Sequence, residues 1–528
     1  MTKMFRKTLL AASVSLAALL AAQGAARAQE ATIVFPTNEV GATTYNPIKA
    51  TMLNTATALI FDRMVSQGAD LSYQPWLAES WEEAPDGMAW VFHLKPGVTF
   101  HNGEPFNAAT VKAWIELFKA TEGDNTYMVE AIASVEVVDD ATVKFVMSRP
   151  EPNLLYNLSS TFMSVVEPKS YAALGDDYGV TEVYGTGPFK LESFAIGQET
   201  VLVRNDAYAW GPAVAANKGA PKVAKLTFRE IAEDSTAFLE LKTGGVDMLL
   251  SVPSDLLGEI TAEANLAVLT LPGQDVWYMP INVTKAPFDD ILVREAAAKA
   301  INQDEILASV FGGVGSVADT FLISALPESQ VSDSAKIKYD PARAAAALDE
   351  AGWAMGPDGV RVKDGQPLKV TLWTQGDSIF RRLTEVVQAQ LKAVGIEAEI
   401  TTFDSSMIRD QYKTGEQQLA VRSYNWDNAD IVDWFFGGDR LGYPNVSMFN
   451  DPKAEELRTA AMAGAKNMSE RVANFTAYHE YVLTQFPMAP IYQPVTSIGY
   501  NTERLVLPSP LNAPSFGSVA FIDMEVKE

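Results

Sequence analysis

The 528-residue sequence contains no cysteine and three histidines. Disulfides, thiolate nucleophiles and soft-ligand metal sites are thereby excluded. His93, His101 and His479 do not have zinc-motif spacing, and no G-x-S-x-G elbow presents a hydrolase serine. His93 falls in an alternating strand. His101 lies in the turn "TFHNGEPF", where its ring can satisfy nearby backbone groups, and His479 sits among helical residues with no suggestive partner nearby. "GGVGS" at 312–316 lacks the lysine and the strand–loop–helix context of a phosphate cradle, and reads as a break after a helix. Basic residues are scarce as well: 41 Lys and Arg face 66 Asp and Glu, for a formal net charge of −25. Such a surface repels phosphate backbones, so nucleic acid is not an expected partner.

Long apolar runs are confined to the chain start. Lys3, Arg6 and Lys7 precede a run of apolar or small residues from Leu9 to Ala22, and Ala26-Arg27-Ala28 is a small-x-small site. These are the parts of a cleavable secretory signal, too short to span a bilayer comfortably, with cleavage expected after Ala28. Removing its four basic residues takes the charge from −25 to −29. Export without a lipid-anchoring cysteine fits a free periplasmic protein. The length suggests two to four structural units.

What is present reads as α/β. "ATIVF" is a strand, and "TMLNTATALIFDRMV" has helical apolar spacing. "WVFHLKPGVTF" alternates, with Phe92 and Leu94 on one side and Val91, His93 and Lys95 on the other. Asn107 can cap the helix "AATVKAWIELFKA", and "VEVVDDATVKFVM" is two strands joined at Asp139-Asp140. Further on, "DSTAFLELKTGGVDML" is a helix stopped by Gly244-Gly245 and followed by a short strand. "PFDDILVREAAAKAINQDEILASVF" has the pattern of one long helical stretch, and Asp340-Pro341 can start another. "PLKVTLWT", "SIFRRLTEVVQAQLKAVG" and "IEAEITTF" form a strand–helix–strand unit, and helices follow over 452–464 and 468–485.

Several blocks, in order over most of the chain, resemble the periplasmic solute-binding proteins of ABC importers in the dipeptide, oligopeptide and nickel group, family 5. They are "PWLAESWEEAPDGMAWVFHLKPGVTFHNGEPFNAATV", "YGTGPFKLESF", "FDDILVREAAAKAINQDEIL", "YDPARAAAALDEAGW" and "LKAVGIEAEI". The resemblance implies a bilobal α/β fold of the type II binding-protein kind, with an extra strand-rich subdomain in the first lobe. Expected boundaries are 29–75, 185–280 and 495–528 for lobe I, 76–184 for the insertion and 281–494 for lobe II. It implies a monomeric, non-catalytic receptor for a peptide or small solute, served by an inner-membrane permease with a cytoplasmic ATPase. No cofactor or metal is expected in the receptor itself.

The resemblance also implies site residues. "RSYNWDNADIVDWFF" at 422–436 holds three carboxylates and five aromatic rings in fifteen residues. The family pattern of an aromatic, two residues, Asp and Asn puts the solute-ammonium carboxylate on Asp427 and the aromatic on Tyr424. A strand ending near Tyr424 or Trp426, with a helix starting near Asp430, avoids stacking Asp427, Asp430 and Asp433 on one helix face. Tyr45, Trp277, Tyr278, Trp373, Arg422 and Trp426 complete the expected substrate contacts. A long arginine-bearing loop of the dipeptide-binding members is missing after "KVTLWT". There the chain passes through "QGDSIFRR" into a helix that takes Arg381 and Arg382. Longer peptides, opines, other amino-bearing solutes and nickel chelates therefore stay open as ligands.

Overall fold

The computed structural model describes residues 29–36, 39–50, 52–121, 123, 125–404 and 407–527; the expected signal, 1–28, lies outside them. The chain divides into two compact units, 1–271 with 496–528, and 272–495. No described helix is long and apolar enough to cross a membrane.

The first unit is organised around the strand Glu30–Val34, one residue ahead of the expected "ATIVF", which pairs in parallel with both Lys225–Arg229 and Met248–Leu249. Further neighbours extend this to a seven-stranded sheet among the described residues, with Leu266–Pro272 at one edge and Phe189–Ala195 at the other. Ile33, Leu226 and Phe228 are buried beneath it, and the rings of Phe35 and Phe228 stack 4.9 Å apart. Gly244 adopts the left-handed conformation (φ 75°) that ends the helix Asp234–Thr243, where a side chain would be strained. The strand-rich insertion is a separate antiparallel sheet in the order Ala78–Glu83, Ala89–Leu94, Thr142–Met147 and Ile132–Asp139. Its alternation buries Trp90, Phe92 and Leu94. Helix Ala108–Ala120 is capped by Asn107, whose side chain accepts the Thr110 N–H. It contributes Val111, Trp114, Ile115 and Phe118 to a core continuous with the main sheet.

Helical spacing over "TMLNTATALIFDRMV" overstates the helix, of which Thr57–Ile60 is the helical part. Phe61 is already extended, and the Asp62 carboxylate is drawn into the core by Trp210 Nε1 (2.8 Å), Thr186 Oγ1 (3.0 Å) and Tyr208 Oη (3.1 Å). The following residues pair as a strand, Val65–Gln67 against Tyr73–Pro75. Tertiary hydrogen bonding outweighs local propensity here.

In the second unit the strand order is Ser316–Val317, Met488–Gln493, Asp275–Pro280 and Arg422–Asn425, all antiparallel. Lys369–Gln375 lies parallel to Glu397–Phe403 on one side and to Leu419–Ala420 on the other, and helix Ser378–Ala393 makes the return, taking Arg381 and Arg382 as expected. The boundary at 280 is corrected. Asp275–Pro280 pairs with two strands of the second unit, so the chain leaves the first unit after Leu271. The two passages of chain are held together where Gly273 N–H donates to Pro494 O at 3.0 Å. A Cβ at 273 would stand 2.5 Å from that carbonyl, which excludes every other residue without a backbone shift. The long helical stretch after 286 is also corrected. It breaks into Ile291–Lys299 and Gln303–Ser309 because Asn302 leaves the helix and its side chain caps the second piece by accepting Glu305 N–H. Asp340 caps Pro341–Glu350 by accepting Arg343 N–H, as its sequence predicts.

One of the histidines, His479, is a core residue, and a second, His101, is half-buried, with Nε2 3.0 Å from Gly187 O. His479 does have partners, contrary to the sequence reading: Nε2 accepts Phe321 N–H (3.1 Å) and Nδ1 donates to Glu328 O (3.0 Å), partners 158 and 151 residues away in sequence. Burial pushes both imidazoles down from 6.5 to about 4. A folded-state pKa below the unfolded one gives a contribution present above pH 6.5 and lost as the pH falls through about 4. For His479 the loss is on the order of 3 kcal/mol. Asp62, pushed up to about 7 by burial, acts in the opposite direction and gains as the pH falls. Comparison with a variant separates the two. In urea melts at pH 7 and 4.5, His479→Gln starts less stable but loses less between the two pH values than wild type. Equal losses would show that the imidazole does not titrate on unfolding.

Candidate functional site

The 422–436 segment follows the predicted break. Arg422–Asn425 is a strand antiparallel to Asp275–Pro280, in a register that sets Arg422 opposite Tyr278 and Tyr424 opposite Val276. Trp426 N–H donates to Gln274 O (3.0 Å), and Gln274 Nε2 donates to Asp427 Oδ2 (3.3 Å). The next residue, Asp275, is a half-buried carboxylate that burial raises above its ordinary range against an opposing hydrogen bond from Asn425. The helix Ile431–Phe436 then begins after Asp430.

The three aspartates thus occupy separate environments. Asp430 stands at the N-cap position, but its side chain makes no cap. It pairs instead with Arg471, which also reaches Asn428 Oδ1 (3.0 Å) and Glu328 Oε1 (3.2 Å). Asp433 is fully buried, gripped by Arg458 Nε and by Arg440 Nη2 at 2.8 Å. Arg458 extends the network to Asp439 (2.8 Å) and Glu455 (3.0 Å), and these carboxylates hold its guanidinium above its ordinary pKa against the opposing effect of burial. These ion pairs fix the helix and the loop before it. Asp427 lies on that loop, half-buried.

On the face that strand Arg422–Asn425 shares with Tyr278, the Arg422 guanidinium is buried among aromatic rings. Its Cζ lies 4.9 Å from the Tyr412 ring, 5.3 Å from Tyr443 and 6.0 Å from Tyr278. No described carboxylate forms an ion pair with it, and Nη1 is buried without a hydrogen-bond partner, as are the hydroxyls of Tyr278 and Tyr412. Taking a guanidinium out of water costs several kcal/mol; each cation–π contact returns roughly 0.5–2 kcal/mol. Phe435 closes the group, 4.9 Å from Tyr278 and edge-on to Tyr424 at 5.4 Å. Trp373 is buried against Phe403 (4.7 Å) and Tyr412 (6.0 Å), joining this cluster through the second ring. Tyr424 and Trp426 lie 5.9 Å apart, and Trp426 continues to Trp434 at 5.3 Å.

Six of the expected contacts, Tyr278, Trp373, Arg422, Tyr424, Trp426 and Asp427, therefore fall in one neighbourhood of the second unit. Two do not. Trp277 points to the other face of its strand, stacked on Phe380 at 4.6 Å and edge-on to Phe311 at 5.4 Å. Tyr45 belongs to the core of the first unit: it is fully buried, edge-on to Phe194, with its hydroxyl 2.5 Å from Thr200 Oγ1 and accepting from Asn54 (3.2 Å). The structure thus places Tyr45 apart from the other expected contacts, with its ring enclosed and its hydroxyl engaged within the first unit. Sequence reasoning missed Tyr412, Tyr443, Gln274 and Asp275. The first two lie in "IRDQYKTG" and "RLGYPNVS", which carry no periodicity or motif that links them to Arg422. Asp275 was legible only as the residue opposite Asn425 once pairing is known. Among the described residues, no group of three or more His, Asp or Glu is placed to hold a metal ion.

Residues 72–440 match the family model described as bacterial extracellular solute-binding proteins, family 5 Middle. The chain is 29% identical over 381 residues to the nickel-binding periplasmic protein of Escherichia coli (strain K12), covering 68% of this chain and 69% of that one. It is 29% identical over 434 residues to the glutathione-binding protein GsiB of Salmonella typhi, covering 80% of each. Among solved structures, NikA from Brucella suis in complex with Fe(III)-EDTA matches with a TM-score of 0.78 at 25% identity, over 93% of this chain and 99% of that one.

The ion-pair network around Asp433 makes a direct prediction. Asp433→Ala leaves Arg440 and Arg458 without their shared buried carboxylate and should cost about 3–5 kcal/mol in urea unfolding. The double variant Asp433→Leu with Arg458→Met should recover much of that loss. A single-variant cost below about 1 kcal/mol would place the network among exposed pairs of little value.

Proposed function

Because the chain belongs to the bacterial extracellular solute-binding proteins of family 5, we propose that it captures a peptide or another amino-bearing small solute in the periplasm and delivers it to an inner-membrane ABC permease. Its two α/β units with a strand-rich insertion have the type II binding-protein fold of its solved relatives. The expected signal sequence supports the periplasmic location, and the relatives named for glutathione and for nickel support a transport role.

The observation that carries the reading is the placement of Asp427. It follows a strand fixed by register and precedes a helix fixed by ion pairs, beside the rings of Tyr424 and Trp426. Gln274 orients one of its oxygens. A solute ammonium arriving there makes a charge-assisted hydrogen bond, worth about 1.5–3 kcal/mol, and the rings cover the adjacent apolar surface. The second acid, Asp275, has its ionised form disfavoured by burial, and an added cation favours that form.

Catalysis is not part of this proposal. His101 and His479 hold backbone groups, and the ring of His93 reaches the Thr142 hydroxyl at 3.4 Å in the insertion sheet. These positions serve folding rather than proton transfer between reactants.

Native mass spectrometry of protein purified without refolding, followed by denaturation, should release an amino-bearing molecule. In calorimetry on stripped protein, tri-alanine should bind more tightly than N-acetyl-tri-alanine, and Asp427→Asn should weaken tri-alanine by about tenfold or more. Equal binding of the two peptides, or an unchanged affinity in Asp427→Asn, would refute the ammonium contact. Cleavage of peptide at many turnovers per protein would refute the receptor.

A further inference from the structure

Away from the candidate site, the second unit has a concavity of about 540 Å³, walled by the helix Gln303–Ser309, residues 339–341 and the helix Ser378–Ala393. That volume is typical of small-molecule sites, which run from about 300 to 1,000 Å³. On the helix Ser378–Ala393, Arg382, Val386, Ala389 and Ala393 share one stripe at three- and four-residue spacing and face the concavity. Leu383, Val387 and Leu391 are buried on the opposite side. There Thr384 Oγ1 donates to Thr374 Oγ1 at 2.8 Å, while Trp373, the preceding strand residue, turns the other way toward Tyr412. Both the helix and the strand Lys369–Gln375 therefore separate this concavity from the rings around Arg422.

The floor is already satisfied. Gln390 is 7% exposed; its Oε1 accepts Asn302 N–H (3.0 Å), and its Nε2 donates to Asn302 O (3.3 Å) and Glu305 Oε2 (3.0 Å). The gap exists because the side chains around it are short. Val310 and Val394 are buried, but Ala389 and Ala393 are exposed and reach only a methyl group into the space. Two carboxylates, Glu305 and Glu385, line the walls against one guanidinium, Arg382. Arg382 stands three residues before Glu385 on the same helix face and offsets its charge. Glu305 receives a neutral amide donor, so the balance in the concavity is negative. Tyr339 is 45% exposed, leaving part of its ring open at the same rim. Carboxylates and an aromatic face both attract a cation, and both disfavour an anion.

We infer that this concavity is a second ligand site, one that takes a small organic monocation with an apolar body, an amine on a hydrocarbon or aryl frame. The apolar body covers Val310, Ala389 and Ala393, removing their surface from water. The ammonium group is drawn to Glu305 and Glu385, where a charge-assisted hydrogen bond replaces hydration, with the Tyr339 ring beside it. Walls on three sides suit a compact molecule better than a partner helix, which needs an open trough. The site lies wholly within the second unit and uses none of the residues assigned to solute capture. It therefore stands independently of the reading of the protein as a solute receptor.

The test is a ligand-observed NMR titration of the full-length protein with phenylbutylamine, phenylbutanol and phenylbutanoate, which share one apolar body and differ in the head group. The amine should bind about fivefold or more tightly than the alcohol, and the acid most weakly. Ala389→Trp fills the concavity from an exposed helix position and should weaken the amine about tenfold or more. The double variant Glu305→Gln with Glu385→Gln keeps the shape and should bring amine and alcohol within about twofold of each other. The melting temperature of each variant verifies folding, and the double variant, which alters no packing volume, decides the matter if Ala389→Trp melts early. Asp427→Asn, at the candidate solute site, should leave amine binding unchanged. Amine binding that survives Asp427→Asn, fails in Ala389→Trp and loses its charge preference in the double variant upholds the second site, whatever tri-alanine does at Asp427. Amine binding lost in Asp427→Asn and intact in Ala389→Trp puts the amine at the candidate solute site and overturns the inference while supporting the ammonium contact. Equal binding of amine and acid, or no saturable binding of any probe, also overturns it.

Discussion

A buried carboxylate is stable only with a counter-charge or hydrogen-bond donors beside it, and the helix and loop of the candidate site are arranged around that constraint. Asp433 is fully buried, and it is stable there because Arg458 and Arg440 converge on its two oxygens. Arg471 does the same for Asp430 and Glu328 from the long helix Met468–Leu483. Together these pairs anchor the short helix Ile431–Phe436 to segments far away in sequence. The loop carrying Asp427 inherits its position from them. Local helix propensity could not do this, since six residues are too few for a helix to be stable alone.

The aromatic residues divide along the same line. Trp277, Phe311, Phe380 and Tyr492 pack against one another, with Phe311 and Tyr492 stacked 3.7 Å apart, and their role is burial. The tyrosines around Arg422 surround a charge instead, and two of their hydroxyls have no partner. A ring's presence in the sequence does not distinguish these roles. What distinguishes them is whether a polar atom is buried beside it and left unsatisfied, since unsatisfied buried polar groups are rare in folded proteins.

Much of the architecture was legible. The alternation in "AWVFHL" does bury Trp90, Phe92 and Leu94, Asn107 and Asp340 do cap their helices, and the break between Asn425 and Ile431 falls where like charges would have crowded a continuous helix. These are short-range effects, readable from neighbours within a turn or two. The errors share a cause. The helix expected around residue 60 yields to Asp62's bonds with Thr186, Tyr208 and Trp210, and His479 finds its partners 151 and 158 residues away. Tyr45, expected as a solute contact, lies in the core of the first unit, where Thr200 and Asn54 engage its hydroxyl.

By itself the sequence determined the class of protein: its ordered blocks carry the family, its charge argues against nucleic acid as a partner, and its lack of cysteine excludes thiolate chemistry. It also determined where several strands and helices begin, those of Ala89–Leu94, Ala108–Ala120 and Pro341–Glu350 among them, because caps, turns and periodicity act locally. Only the tertiary structure decided which charges are compensated. The same residue type is neutralised at Arg458 and left with tyrosines at Arg422, and the difference lies in side chains that sequence separation hides. Electrostatic compensation depends on distances of a few ångströms between groups brought together by folding, so it becomes readable only when those distances are known.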